Sequence, residues 1–297
     1  MIDLAHRRVA LSTGIELDCW SAGAGEPIIF LHGFPESHRT WRHQLADLAR
    51  DHLVIAPDQR GYARSDKPPH VEDYAVEHLV ADVMALADAY DVGRFTLAAH
   101  DWGGAVGWVT ALTRPDRVAR LVIANAPHPL VFQRSLIEDE AQRAASQYIR
   151  AFRTPGIEHV AAADLDIFFD ETFAPLVDDP ALLAPERATY LDQWSQPGAV
   201  TAMLNWYRAM SITVPAPGEP ADFPAWTTRP FPPVLPPTLV IWGLHDKALL
   251  PTQLDALAPH VRDLTVAAID AGHFVPWEAP GEVTAAMRAF LNTRPLA

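Results

Sequence analysis

Short continuous apolar runs alternate along the chain with segments whose apolar positions recur every three or four residues. The first pattern predicts buried strands and the second predicts amphipathic helices. Residues 27–31, 52–56, 95–99, 118–125, 238–242 and 264–269 form the apolar runs, and such runs suit strands covered on both faces. Between them, Trp41, Leu45 and Leu48, then residues 76–90, then Ala105, Val106, Trp108, Val109 and Leu112 keep helical spacing. Ahead of all these, residues 9–11 and 15–20 alternate across Ser12-Thr13-Gly14 and predict a hairpin. A helix from about residue 281 to 291 closes the pattern. Strands alternating with helices predict an α/β domain with a mostly parallel central sheet and helices on both sides.

From about Leu130 the pattern changes. Segments 132–152, 157–169, 182–193 and 199–210 read as helical, with little strand signal. Prolines 215, 217, 220, 224, 230, 232, 233, 236 and 237 then crowd one stretch. So many prolines exclude a helix or a central strand and predict an extended connector. The division that follows is a core of residues 1–129 and 214–297 with a helical insert, 130–213, lying over it as a cap.

With 297 residues, 49% of them hydrophobic, the chain can bury one large core. Its net charge of −14 leaves no basic stripe to neutralise phosphates, so nucleic acid is excluded as a partner. The single Cys19 cannot form an intramolecular disulfide, which fits a cytoplasmic protein. No apolar run is long enough to span a bilayer. The 13 histidines show no metal-ligand spacing, so neither a metal nor another cofactor is expected. Homodimer formation is left open by the sequence.

Candidate chemistry begins at Ala98-Ala99-His100-Asp101-Trp102-Gly103-Gly104, where a predicted strand turns sharply into a predicted helix. Small residues on either side of Asp101 allow a turn tight enough to hold its carboxylate up into a cavity, the geometry of a nucleophile elbow. The same Asp also suits a plain helix N-cap. Two further groups stand at strand ends: Asp246 after 238–242 and His273 after 264–269. Nucleophile, then acid, then His is the chain order of an α/β-hydrolase. Reactive groups in such sheets gather at the carboxyl ends of strands, so the three can converge.

Asp101-Trp102-Gly103-Gly104, His32-Gly33-Phe34-Pro35-Glu36, Arg60-Gly61-Tyr62, Ser65-Asp66-Lys67-Pro68 and Ala271-Gly272-His273-Phe274 together resemble the epoxide hydrolase branch of the α/β-hydrolases. The similarity runs over nearly the whole chain, with departures at Ala63, where that family often has Gly, and at Ala99, a small residue in place of the first Gly of the elbow. It implies an α/β-hydrolase fold with a helical cap and no cofactor, acting on a small-molecule epoxide and water. Chemistry agrees with an Asp in the nucleophile position. A carboxylate attacking a carbonyl would form an unstable anhydride, whereas attack on a saturated carbon gives a stable alkyl ester. His273, oriented by Asp246, would then activate a water against that ester.

The resemblance places backbone N–H donors of Phe34 and Trp102 as the oxyanion hole, and Trp102, Trp206 and Phe34 around the substrate. It matches Tyr207, in Met203-Leu204-Asn205-Trp206-Tyr207-Arg208, and Tyr148, before Pro155-Gly156, to the cap tyrosines that activate the epoxide oxygen. Both rings also suit ordinary amphipathic packing. His32 and His100 are read as supporting groups that shape the oxyanion loop. Haloalkane dehalogenases share the Asp nucleophile and remain the alternative, with Trp194 or Trp206 as substitutes for a missing Asn donor at position 34. A non-catalytic ligand-binding relative is the third reading.

Overall fold

The computed structural model describes residues 4–177 and 179–296. In chain order it runs β1 (Ala5–Ala10), β2 (Glu16–Ala22), β3 (Glu26–Leu31), α1 (Arg42–Leu48), β4 (His52–Pro57), α2 (Val76–Ala89), β5 (Phe95–His100), α3 (Asp101–Thr113) and β6 (Val118–Ala124). Seven helices follow: α4 (Pro129–Glu138), α5 (Glu140–Ala145), α6 (Gln147–Phe152), α7 (Ile157–Ala163), α8 (Leu165–Phe173), α9 (Ala184–Trp194) and α10 (Ala199–Ala209). The chain then completes the sheet with β7 (Thr238–Gly243) and β8 (Leu264–Ile269) and ends in α11 (Val275–Glu278) and α12 (Pro280–Thr293).

The expected α/β-hydrolase fold is the one observed. Eight strands form one sheet in the order β1-β2-β4-β3-β5-β6-β7-β8. The β1–β2 and β2–β4 pairs are antiparallel, and every later pair is parallel. Strands β5, β6 and β7 are buried along their whole length, which is why apolar residues dominate their sequences without regular alternation. Two cores flank the sheet. One packs α1 and α12 through Trp41, Leu45, Val283 and Met287, and the other packs α2 and α3 together with the helices between β6 and β7.

Three sequence expectations are refined. The segment 157–169 is two helices, α7 and α8, because Asp164 accepts the Ile167 N–H and caps the second. The segment 132–152 is three helices, because Asp139 accepts hydrogen bonds from the Ala141 and Gln142 N–H groups and so caps a new helix. The proline-rich connector holds a 3₁₀ turn at Ala225–Thr228 and one parallel bridge from Val234 to Val261, and is otherwise without regular structure. Ala63, where the family pattern often has Gly, has φ +46°, a conformation that a glycine adopts more easily.

Candidate active site

Asp101 opens α3 directly after β5 and has φ +48°. A non-glycine residue rarely adopts that conformation, and here the surrounding packing enforces it. Gly33, Gly103 and Gly104 make the turn fit. A Cβ on Gly33 would stand 2.5 Å from both Cβ and Oδ1 of Asp101. On Gly103 it would meet the His32 carbonyl oxygen at 2.5 Å, and on Gly104 the Ala126 methyl at 2.2 Å. Gly33 and Gly103 thus permit a close approach between the loops after β3 and β5, and Gly104 permits one to the loop after β6.

The two carboxylate oxygens of Asp101 are inequivalent. Oδ1 accepts the backbone N–H of Phe34 at 2.7 Å, while Oδ2 lies 3.7 Å from His273 Nε2. The other ring nitrogen, Nδ1, is 2.7 Å from Asp246 Oδ2. Asp246 is itself held from three sides. Its Oδ1 accepts the N–H groups of Ala248 and Leu249, each at 2.8 Å, and its Oδ2 accepts Asn125 Nδ2 at 2.6 Å. Asn125 in turn accepts the Gly243 N–H at 2.8 Å, locking the ends of β6 and β7 together.

Burial opposes a charge on His273, but the Asp246 carboxylate beside it wins, and Asp101 and Glu36 add to the effect. The imidazole pKa is pushed up to about 9. The loop carrying it is fixed by Glu278, which accepts the Gly272 and Phe274 N–H groups at 3.2 and 2.7 Å. His100 Nε2 meets the His273 carbonyl at 2.9 Å, while its Nδ1 lies 3.2 Å from the buried Glu36. His32 stands elsewhere, with Nδ1 on the Gly33 carbonyl at 2.9 Å and Nε2 accepting the Gln59 N–H at 2.9 Å. So His32 braces the Phe34 loop, and His100 braces the His273 loop.

Tyr148 on α6 and Tyr207 on α10 both border the cavity above Asp101, with ring centroids 6.1 Å apart and planes at 83°. Burial, reinforced by the charges of Asp101 and Asp246, drives the Tyr148 phenol pKa well above its ordinary value. Burial does the same for Tyr207, followed by Tyr148 and Asp101, against a weaker opposing hydrogen bond from the Trp102 side chain. Both phenols therefore keep their protons at neutral pH. One lobe of that cavity, about 360 Å³, carries Phe34 and His273, and a second of about 80 Å³ carries Trp102, Phe132 and Ile149. Asp101, Tyr148 and Tyr207 border both lobes.

Trp206 corrects the sequence expectation, since it borders neither lobe. Its indole donates to the Arg60 carbonyl at 3.0 Å, and its ring packs behind Trp102 at 5.7 Å. Trp194 is likewise committed, donating to the Pro35 carbonyl at 2.8 Å. Asn125, Glu278 and Arg153 are supports that the motif reading missed. Arg153 donates to the carbonyls of Tyr207, Met210 and Ile212 at 2.8, 3.2 and 2.9 Å, tying down the end of α10. Asn125 had a sequence signal, a polar residue ending an apolar run. Arg153 had none, because its acceptors are backbone atoms. Among the described residues, no group of three or more His, Cys, Asp or Glu is placed to hold a metal ion.

The family model of the alpha/beta hydrolase fold matches residues 26–280. Epoxide hydrolase A of Mycobacterium tuberculosis is 32% identical over 324 residues, covering 96% of this chain and 97% of that protein. A solved structure from work on epoxide hydrolases of the alpha/beta hydrolases superfamily in metagenomes from hot environments superimposes with a TM-score of 0.90 at 45% identity. It covers 98% of this chain and 99% of its own. A mutant of the Bacillus megaterium epoxide hydrolase, complexed with a naphthyloxy-propane-diol product, gives a TM-score of 0.86 at 29% identity over 96% and 100% of the two chains.

Proposed function

The chain belongs to the alpha/beta hydrolase fold family and, within it, to the epoxide hydrolases, and from that premise we propose that it opens epoxides to vicinal diols through an ester on Asp101. The observation that carries the proposal is the split of the Asp101 carboxylate at the border of the cavity, with one oxygen held by the Phe34 N–H and the other 3.7 Å from His273 Nε2. Oδ2 attacks a ring carbon, the C–O bond breaks, and the alkoxide formed takes a proton through Tyr148 and Tyr207. The helices between β6 and β7, residues 130–213, act as the cap that delivers those two hydroxyls.

The protonation of His273 balances this step. In the resting site it is cationic at neutral pH, with the Asp101 carboxylate among the charges that hold the proton. Alkylation removes that charge, so the imidazole gives up a proton just as the opened alkoxide gains one. Neutral His273 then takes a proton from water, hydroxide adds to the Asp101 carbonyl carbon, and the oxyanion develops on Oδ1. There the Phe34 N–H already points, and Trp102, the residue after the nucleophile at the start of α3, supplies the second donor. Collapse releases the diol and restores both charges.

The dehalogenase reading keeps the Trp102 indole but loses both substitutes for its second halide donor, because the indoles of Trp194 and Trp206 are spent on backbone carbonyls. A non-catalytic reading leaves the complete Asp101–His273–Asp246 arrangement without a purpose. Incubation with styrene oxide and with 1-bromobutane separates the first two. Diol from the epoxide with little bromide is the expected result, and bromide release alone would overturn the proposal.

A further inference from the structure

A second cavity of about 240 Å³ lies on the outer side of the larger lobe, between α7 and α8. It shares three residues with that lobe, Phe152, Phe168 and Glu171, so its inner wall is the lobe's outer wall. The wall is largely two phenyl rings. Phe34 packs against both of them, at 5.2 Å from Phe152 and 6.4 Å from Phe168. Beyond the rings the lining is aliphatic, from Ile157, Val160, Ala161, Ile167 and Leu204, with Asp164 as its other acidic member. Val160 is 69% exposed and Ile167 55% exposed, more than any other large hydrophobic residue described. Two β-branched aliphatic side chains held in water on adjacent cap helices, around a cavity that abuts the reaction site, are placed to meet an apolar ligand.

We propose that this cavity is a vestibule for the distal, uncharged alkyl portion of a long epoxide whose ring lies at Asp101. The inference rests on the epoxide hydrolase reading and adds a substrate class to it. Tail length decides how much is gained. A short epoxide stays within the lobe at Asp101, whereas a longer alkyl chain extends past the Phe152 and Phe168 rings into the outer cavity. Each methylene moved from water into such a lining strengthens binding by about fourfold. The carboxylates of Asp164 and Glu171 repel an anionic tail end, so a neutral chain is favoured over an ω-epoxy fatty acid of equal length.

The test compares kcat/KM for 1,2-epoxybutane and 1,2-epoxydodecane in the wild type and in Val160→Asp and Ile167→Asp. Both substitutions are at exposed positions on separate helices, and thermal melting verifies that each variant is folded. The wild type is expected to favour the longer substrate, and each variant to lower the long-to-short ratio about tenfold. A ratio that neither substitution moves overturns the vestibule while leaving the function standing, as long as epoxybutane is still opened. Equal or better turnover of 11,12-epoxydodecanoate overturns the neutral-tail assignment. Failure of the wild type to open any epoxide overturns the functional reading, and the vestibule with it.

Discussion

The imidazole of His273 is the residue on which the proposed cycle turns, and its environment sets a testable pH dependence. Its pKa is raised to about 9 from an ordinary 6.5. A group whose pKa is raised on folding stabilises the fold fully below its unfolded value and loses that effect as the pH climbs through its folded value. Between about pH 6.5 and 9 the protein should therefore lose stability from this group. Asp246→Asn removes the carboxylate that holds the proton most strongly, so the variant's decline across the same window should be shallower. Melting temperatures of the two proteins from pH 6 to 10 measure this, and parallel curves would contradict it. At this scale the sequence was legible where chemistry depends on residue type: Asp101, Asp246, His273 and both tyrosines could be named. It was opaque where position depends on backbone acceptors, as with Arg153, and where a ring's exposure depends on what covers it, as with Trp206.

Elements place these residues, and α10 does so most directly. It carries Tyr207 with Trp206 as a buried anchor on the Arg60 carbonyl, and Arg153 on the loop after α6 holds its carboxyl end. Arg153→Met should slow epoxide opening by about 10- to 100-fold, through a misplaced Tyr207 hydroxyl. Ester hydrolysis, which does not use that hydroxyl, should keep its rate. Tyr207→Phe should slow the same first step by about 10²- to 10⁴-fold. Rapid-quench measurement of the two half-reactions checks both variants, and Arg153→Lys should restore part of the loss. Equal slowing of both half-reactions by Arg153→Met would show it to be merely structural. The strands were readable because buried parallel strands leave largely apolar runs, whereas their order in the sheet was not. The break of 132–152 into α4, α5 and α6 was hidden, since Asp139 looks like any surface carboxylate until its capping bonds are seen.

At the scale of the whole molecule, the helices between β6 and β7 are fastened to the sheet domain along one side. Arg39 pairs with Glu186 at 2.5 and 2.8 Å, Arg64 with Asp192 at 2.9 Å, and Trp194 with the Pro35 carbonyl. Phe34 donates its N–H to Asp101 and packs its ring on Phe152, Phe168 and Tyr207, while the Pro35 carbonyl takes Trp194, so one loop touches both Asp101 and the helical layer above it. No sequence pattern displays this, because each partner lies more than a hundred residues from the other. No described helix is long and apolar enough to cross a membrane. The central claim is that a carboxylate ester of Asp101 lies between epoxide and diol. Its most direct test is intact-protein mass spectrometry of His273→Gln mixed with styrene oxide. The account predicts a stable increment of one substrate mass, mapping to the peptide that contains Asp101. Diol formed in a single turnover with no added mass, or an adduct mapped to another residue, would contradict it.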